Sequence, residues 1–246
     1  GSGVKNLNEY WHDVRFGKPV KHIQDVINIC RMVIKESHLN PIKYEGSEKS
    51  ISLVGFDRPF TPKEASIPIY MGSVGPFMTR KCGEIADGWI SHELCSPQYL
   101  KSNIIPKLQE GASDKKIPKI VVSGLTVVDE DEKKAKRIAA GTVAFYASVK
   151  TYDEFFSTHG FGQEASRIRE LFKNNDIKGM IENVPDEMVD VFAIAGNKEF
   201  VTESIKRYEN IVDEIKLTPP THFVTEEETR FAQKSILSIV NEGGIN

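Results

Sequence analysis

The chain has 246 residues, enough for one large domain or two small ones, and its charged fraction of 27% is ordinary for a globular protein. A net charge of −3, without a basic stripe interleaved with aromatic residues, argues against nucleic-acid binding. No apolar run approaches the roughly 20 residues that cross a bilayer, so we expect no membrane partner.

The first third of the chain predicts a helix followed by irregular structure. Apolar residues recur at helical spacing from Ile23 onwards, which predicts an amphipathic helix. Residues 43–60 are irregular apart from a β-prone run at 51–54. This part of the sequence carries little chemistry of its own.

Residues 67–89, IPIYMGSVGPFMTRKCGEIADGW, are the most informative segment. They predict a strand at 68–71, a glycine-bearing turn, a helix at 77–86 and a second strand at 88–91. Such a turn leaves the first backbone N–H groups of the helix unpaired, and Pro76 fits there because it lacks an N–H. Together with the helix dipole, those donors predict a site for a phosphate or another anion. The alternative is an ordinary strand-to-helix turn in which the glycines serve only the chain reversal.

The middle of the chain predicts a helix at 97–110, a buried strand at 119–128 and a further helix that opens with acidic residues. Residues 152–191 show helical segments and no strand signal. The last third predicts a strand at 214–217 and a helix at 225–240, which Thr225 and Glu228 open as a capping box. Alternating strands and helices favour a parallel sheet.

Cysteine and histidine spacing argues against a metal site. Cys30 and Cys82 lie on the apolar sides of predicted helices and Cys95 is far from both, which predicts buried free thiols in a reducing cytoplasm. Five histidines lack the spacing of metal ligands and are expected at surfaces: His12, His22, His38, His159 and His222.

The segment 67–89 resembles the fifth strand, phosphate loop and fifth helix of the luciferase-like flavin and deazaflavin oxidoreductases. It is most similar to the coenzyme F420-dependent branch that includes the methylenetetrahydromethanopterin reductases. Shorter runs agree with this family in the same order: Gly1-Ser2-Gly3, Leu7-Asn8-Glu9, Phe16-Gly17-Lys18-Pro19, Tyr44-Glu45-Gly46, Asp129-Glu130-Asp131 and Ala195-Gly196-Asn197-Lys198-Glu199.

The resemblance implies an α/β fold, the (β/α)8 TIM barrel of the luciferase-like type. We expect a single domain over residues 1–246, with an α-helical insertion at about 150–195. The sequence predicts four core strands, which cannot close an eight-stranded barrel, and in the family register the chain begins after the fourth strand. We therefore expect a C-terminal portion of the barrel. The alternative is that Gly1-Ser2-Gly3 is a cloning scar that happens to match the family.

The resemblance also implies a cofactor site. A loop whose backbone holds the cofactor phosphate corresponds to Val74, Gly75, Pro76, Phe77 and Met78. The Ser73 hydroxyl would add a donor, and Gly3 and Asn8 would contact the cofactor ring or tail. For Phe77 and Met78, burial in the core is an equally good interpretation.

Catalytic residues are less well defined. The deazaflavin-dependent sugar-phosphate dehydrogenases of the family place an acid where this chain has Val4, which cannot donate a proton. Glu9 and His92 are the remaining weak candidates, and His92 is more simply interpreted as a solvated loop residue. Asp87 is expected to form a turn by bonding local backbone.

The resemblance implies an oxidoreductase that transfers hydride between coenzyme F420 and a small substrate. A flavin-dependent monooxygenase with FMN is the alternative, because the same loop would hold its phosphate. A non-catalytic homologue is a second alternative. We expect a homodimer, as is common in the family, and no bound metal.

Overall fold

The computed structural model describes residues 1–39, 41–61 and 67–242, in which strands alternate with helices. Up to residue 112 its α-helices and strands are helix α1 (Pro19–Glu36), strands β1 (Ile42–Glu45), β2 (Ser50–Leu53) and β3 (Tyr70–Gly72), helix α2 (Pro76–Ile85), strand β4 (Gly88–Ile90), and helices α3 (Pro97–Tyr99) and α4 (Ile105–Ala112). They continue with β5 (Lys119–Val128), α5 (Glu132–Ser148), α6 (Asp153–Thr158), α7 (Gly162–Lys173), α8 (Ile177–Glu182), α9 (Asp186–Phe192), β6 (Ile194–Gly196), α10 (Lys198–Ile205), β7 (Glu214–Thr218) and α11 (Glu226–Glu242). No described helix is long and apolar enough to span a membrane.

The chain divides into two compact units. The first comprises Gly1–Ile90 and Asn103–Ile120, and the second comprises Ser91–Ser102 and Val121–Asn246. Strand β5 therefore begins in the first unit and continues in the second.

In the first unit, β3 and β4 pair in parallel, with Tyr70 opposite Gly88. Helix α2 connects the two strands and packs against α4 through two glycines. A Cβ atom at Gly83 would lie 2.2 Å from the carbonyl oxygen of Leu108, and one at Gly111 would lie 1.9 Å from that of Arg80. Only glycine permits helices to approach this closely.

The first unit also contains an antiparallel hairpin of β1 and β2, which the buried Asp25 of α1 holds. The Asp25 carboxylate accepts hydrogen bonds from the backbone N–H groups of Glu48 (2.7 Å) and Lys49 (3.0 Å) and from the Tyr44 hydroxyl (3.0 Å). Burial raises the pKa of Asp25, but these hydrogen bonds outweigh burial and leave the pKa lowered.

In the second unit, the long strand β5 pairs in parallel with both β6 and β7. All residues of β5 after Lys119 are buried, as expected for a strand that is covered on both faces. The predicted capping box is confirmed, because the Thr225 hydroxyl accepts from the Glu228 N–H at 3.2 Å and the Glu228 carboxylate accepts from the Thr225 N–H at 2.7 Å.

Three sequence expectations need correction. The prediction of four core strands missed β6, a run of only three residues, and the predicted irregular region contains β1 as well as the expected β-prone run, which forms β2. Cys30 is exposed, whereas Cys82 and Cys95 are buried free thiols. Cys30 therefore lies outside the covered side of α1.

We expect Asp25→Asn to lower the free energy of unfolding by about 1–3 kcal/mol, because the amide cannot accept from all three donors. Asp57→Asn, at an exposed carboxylate, is the matched control. Because the folded pKa of Asp25 is lowered, its contribution is present above the unfolded pKa and is lost as pH falls through the folded value. Urea unfolding at pH 7 and pH 3 tests both statements, and an equal loss in the two variants would contradict them.

Candidate functional site

The predicted anion loop is open to solvent at the end of β3. A Cβ atom added at Gly75 would have no neighbouring atom within 4 Å, and the Phe77 side chain is 78% exposed. Within the described ranges, the backbone N–H groups of Gly75, Phe77 and Met78 donate no hydrogen bond to the protein. These donors therefore face space that a ligand can occupy. The exposure of Phe77 also shows that its side chain is not part of the core.

A buried tryptophan holds this loop from below. The Trp89 indole N–H donates to the Ser73 carbonyl oxygen at 3.1 Å and to the Ser73 hydroxyl oxygen at 2.9 Å. The Ser73 and Thr79 hydroxyls are 3.1 Å apart, and all three side chains are buried. The Ser73 hydroxyl thus faces the indole and Thr79, and its additional role as an anion donor stays a prediction.

The N-terminal segment lies beside the same strand end. A Cβ atom on Gly1 would be 3.0 Å from the carbonyl oxygen of Gly72, the last residue of β3. The Asn8 amide donates to the carbonyl oxygens of Ser2 (3.2 Å) and Val4 (2.9 Å), and Gly3 adopts a left-handed conformation with φ of 66°. The structure therefore brings Gly3 and Asn8 together in one tight turn, although contact with a cofactor stays a prediction.

Two carboxylates of this unit have structural partners. Glu9 accepts from the Phe16 N–H at 3.5 Å and pairs with Lys5 at 3.8 Å. The prediction that Asp87 forms a turn by bonding local backbone is wrong. The Asp87 carboxylate accepts from the N–H of Ile69, at 2.8 Å, and from Arg31, at 3.0 Å, so it connects the residue before β3 to α1.

In the second unit, His92 lies among aromatic rings, which corrects the interpretation as a solvated loop residue. Its ring centroid is 5.5 Å from that of Tyr146, 5.0 Å from that of Tyr152 and 5.1 Å from that of Phe155. The Nδ1 atom accepts a hydrogen bond from the Leu94 N–H at 3.2 Å. Burial lowers the pKa of His92 to about 4, so the imidazole is neutral at pH 7.

The neighbouring carboxyl of Glu93 belongs to the same group of side chains. Burial raises the pKa of Glu93, and the Lys216 ammonium and the Tyr146 hydroxyl counteract this only in part. Its Oε2 atom is buried and accepts no hydrogen bond from the residues described. Burial therefore shifts the equilibrium of this carboxyl towards its protonated form.

Two further histidines are packed and not simply at the surface. His159 bonds the Ser96 hydroxyl at 2.7 Å and the Phe155 carbonyl oxygen at 2.9 Å, and His222 stacks on Phe145 at 3.8 Å. His12 is exposed, as predicted. Residues 1–39, 41–61 and 67–242 contain no cluster of three or more His, Cys, Asp or Glu side chains that could hold a metal ion.

Sequence reasoning missed Trp89, Tyr146 and Tyr152. The aromatic spacing of the last two, followed by Phe155 and Phe156, was a signal for an aromatic cluster. Nothing local in the sequence links Trp89 to Ser73, because that contact depends on the pairing register of β3 and β4.

Parallel strands, connecting helices and an open glycine-bearing loop after a strand define an α/β protein. The model of the luciferase-like monooxygenase family matches residues 1–214, and the chain belongs to that family. The predicted fold class is thereby confirmed.

Individual relatives extend this result. The chain is 30% identical over 171 residues to 5,10-methylenetetrahydromethanopterin reductase of Methanopyrus kandleri, across 68% of this chain and 48% of that protein. The solved coenzyme F420-dependent tetrahydromethanopterin reductase from Methanopyrus kandleri is similar at a TM-score of 0.72 and 23% identity, over 89% of this chain and 63% of the other.

A flavin enzyme shares the fold as well. The oxygenating constituent of 3,6-diketocamphane monooxygenase from Pseudomonas putida, solved with FMN, is similar at a TM-score of 0.60 and 16% identity, over 98% of this chain and 67% of the other. The chain thus spans about half to two thirds of the length of these relatives.

We expect Trp89→Phe to loosen the loop, because Ser73 loses the indole donor to its carbonyl and hydroxyl oxygens. The free energy of unfolding should fall by about 1–3 kcal/mol. Amide exchange at Thr79, which donates to the Gly75 carbonyl oxygen at 2.9 Å, should become faster. Trp11→Phe is the control, since Trp11 is 77% exposed. Equal effects of the two substitutions would exclude a specific role for the indole N–H.

We expect acidification to destabilise the protein through His92. Its folded pKa of about 4 lies below the ordinary value of 6.5, so the unfolded chain takes up the proton first. Stability is therefore lost as pH falls from 6.5 to 4, by at most about 3 kcal/mol. Glu93, with its raised pKa, acts in the opposite direction. Unfolding curves of wild type and His92→Gln across this range isolate the effect, and parallel pH profiles would refute it.

Proposed function

We propose that this protein is a coenzyme F420-dependent oxidoreductase that transfers hydride between the deazaflavin and a small substrate, similar to methylenetetrahydromethanopterin reductase. The observation that carries the proposal is the open loop at residues 74–78. Backbone N–H groups at the start of α2 are free there, and the Trp89 indole fixes the preceding residue, Ser73, by a hydrogen bond. The similarity to the Methanopyrus kandleri reductase supports the choice of cofactor.

The residues of the loop fit a phosphate-bearing cofactor. Free N–H groups and the positive end of the α2 dipole favour an anion, and Gly75 leaves room for close approach of its backbone. The exposed Phe77 ring offers apolar surface beside these donors. Val74, Gly75, Phe77 and Met78 would hold the phosphate through backbone N–H groups, and Pro76 would fix the start of the helix.

When bound, the deazaflavin supplies the hydride chemistry. The chain itself supplies binding and orientation. The hydrogen bonds from Trp89 to Ser73 keep the loop amides in a fixed direction, so that little conformational entropy is lost when the anion binds. A homodimer remains part of this proposal.

FMN is the second candidate, because its phosphate has the same requirements and an FMN-binding protein shares the fold. The loop alone does not distinguish the two cofactors. A protein that bound neither would be the non-catalytic homologue.

We expect F420 to bind more tightly than FMN when each is titrated into the purified protein and binding is followed by calorimetry. A tight FMN complex without F420 binding would select the flavin alternative, and binding of neither would select the non-catalytic one.

The loop itself is tested by Gly75→Asp against Gly75→Asn. Neither side chain meets a protein atom near its Cβ, and the two are equal in size. Only the aspartate places a negative charge beside the phosphate, which costs on the order of 1–4 kcal/mol at close range, so cofactor affinity should fall at least about tenfold relative to Asn. Equal affinities would show that the phosphate lies elsewhere.

A further inference from the structure

Helices α5, α8 and α9 of the second unit form a cavity of about 290 Å³. Its apolar lining consists of Ala140, Val184 and Val189, which are buried, and Ile181, which is half-buried. A cavity of this size is at the small end of ligand-binding pockets and suits a ligand of few atoms. All of its lining residues belong to one compact unit.

Charged side chains of opposite sign line this cavity from different elements. Lys133, Lys136 and Arg137 all lie on α5. Glu182 is the last residue of α8 and Asp186 the first residue of α9. The positive charges therefore come from one helix and the negative charges from the turn that joins the other two helices. A ligand in the cavity meets both signs of charge beside an apolar surface.

One of the basic side chains, Lys136, is already neutralised by the protein. Its Nζ atom lies 2.8 Å from the Asp190 carboxylate and 3.1 Å from that of Glu132, and the Lys136 side chain is only 13% exposed. These ion pairs connect α5 to α9 and so fix two of the elements that form the cavity. Lys136 is therefore a structural residue and has no free charge to offer a ligand.

The other charges do not pair across the cavity. Among the residues that the structure describes, the side chains of Lys133, Arg137 and Asp186 form no ion pair. The Glu182 carboxylate pairs with Lys178 of its own helix, at 3.7 Å. A guanidinium binds a carboxylate in a bidentate manner, and a carboxylate accepts hydrogen bonds from an ammonium group. A molecule that carries both groups therefore satisfies both sets of charges at once.

We propose that this cavity binds a free α-amino acid with an aliphatic side chain. The α-carboxylate accepts hydrogen bonds from Arg137, and the α-ammonium group donates to Asp186. The aliphatic side chain packs on Val184 and Val189, which removes its apolar surface from water. The site goes beyond the proposed function, because all of its residues lie in the second unit, whereas the loop at residues 74–78 belongs to the first.

Leucine is the probe, titrated into the purified chain while NMR spectra of the valine methyl groups are recorded. We expect saturable shifts at Val184 and Val189. Two analogues share the aliphatic part of leucine: 4-methylpentanoate lacks the ammonium group and 3-methylbutylamine lacks the carboxylate. Each should bind about two- to fivefold more weakly, the loss of one exposed ion pair. Absence of shifts at these methyl groups, or equal affinities for leucine and either analogue, would overturn the proposal.

Substitutions test the two kinds of charge separately. Arg137→Gln should weaken leucine binding about two- to fivefold without weakening that of 3-methylbutylamine, and Asp186→Asn should do the same without weakening that of 4-methylpentanoate. Arg167→Gln and Glu187→Gln are the matched controls, because these residues lie outside the cavity. All four side chains are exposed, so we expect every variant to fold. Unchanged leucine affinity in both cavity variants, or an equal loss in the controls, would overturn the proposal.

Discussion

The hydrogen bonds from the Trp89 indole to Ser73 are the constraint on which the candidate cofactor site depends. A loop with free amides is flexible unless something fixes its base, and here a fully buried ring on the neighbouring strand does so. Ser73 connects in turn to Thr79 in the first helical turn. Two hydrogen bonds from Trp89 to Ser73 and the contact between the Ser73 and Thr79 hydroxyls thus join the strand end, the loop and the start of the helix. They hold the free backbone N–H groups of the loop in one orientation.

The two units contribute different chemistry. The first presents backbone donors, whose partial positive charge does not change with pH and therefore suits a permanent anion such as a phosphate. The second presents side chains whose proton affinities burial has separated, with His92 lowered and Glu93 raised.

The elements nearest the candidate site were predictable because their signals are local. Glycine and proline mark the loop, and the apolar runs mark β3, β4 and β5 without reference to the rest of the chain. The same holds for the capping box at Thr225. Strand β6 was not predictable, since three small or aliphatic residues carry no period. The partners of Asp87 and Trp89 depend on strand register, and the burial of His92 depends on aromatic residues more than fifty positions further along the chain.

The close approach of α2 and α4 at Gly83 and Gly111 also constrains the position of the loop before α2. Gly83 lies six residues after Phe77, about 9 Å along the helix axis. A methyl group added at Gly83 would overlap the Leu108 carbonyl oxygen, so α2 would have to shift away from α4, and the first turn of the same helix follows the loop. Substitutions at Gly83 are therefore expected to reach the loop at residues 74–78, although the glycine lies outside it.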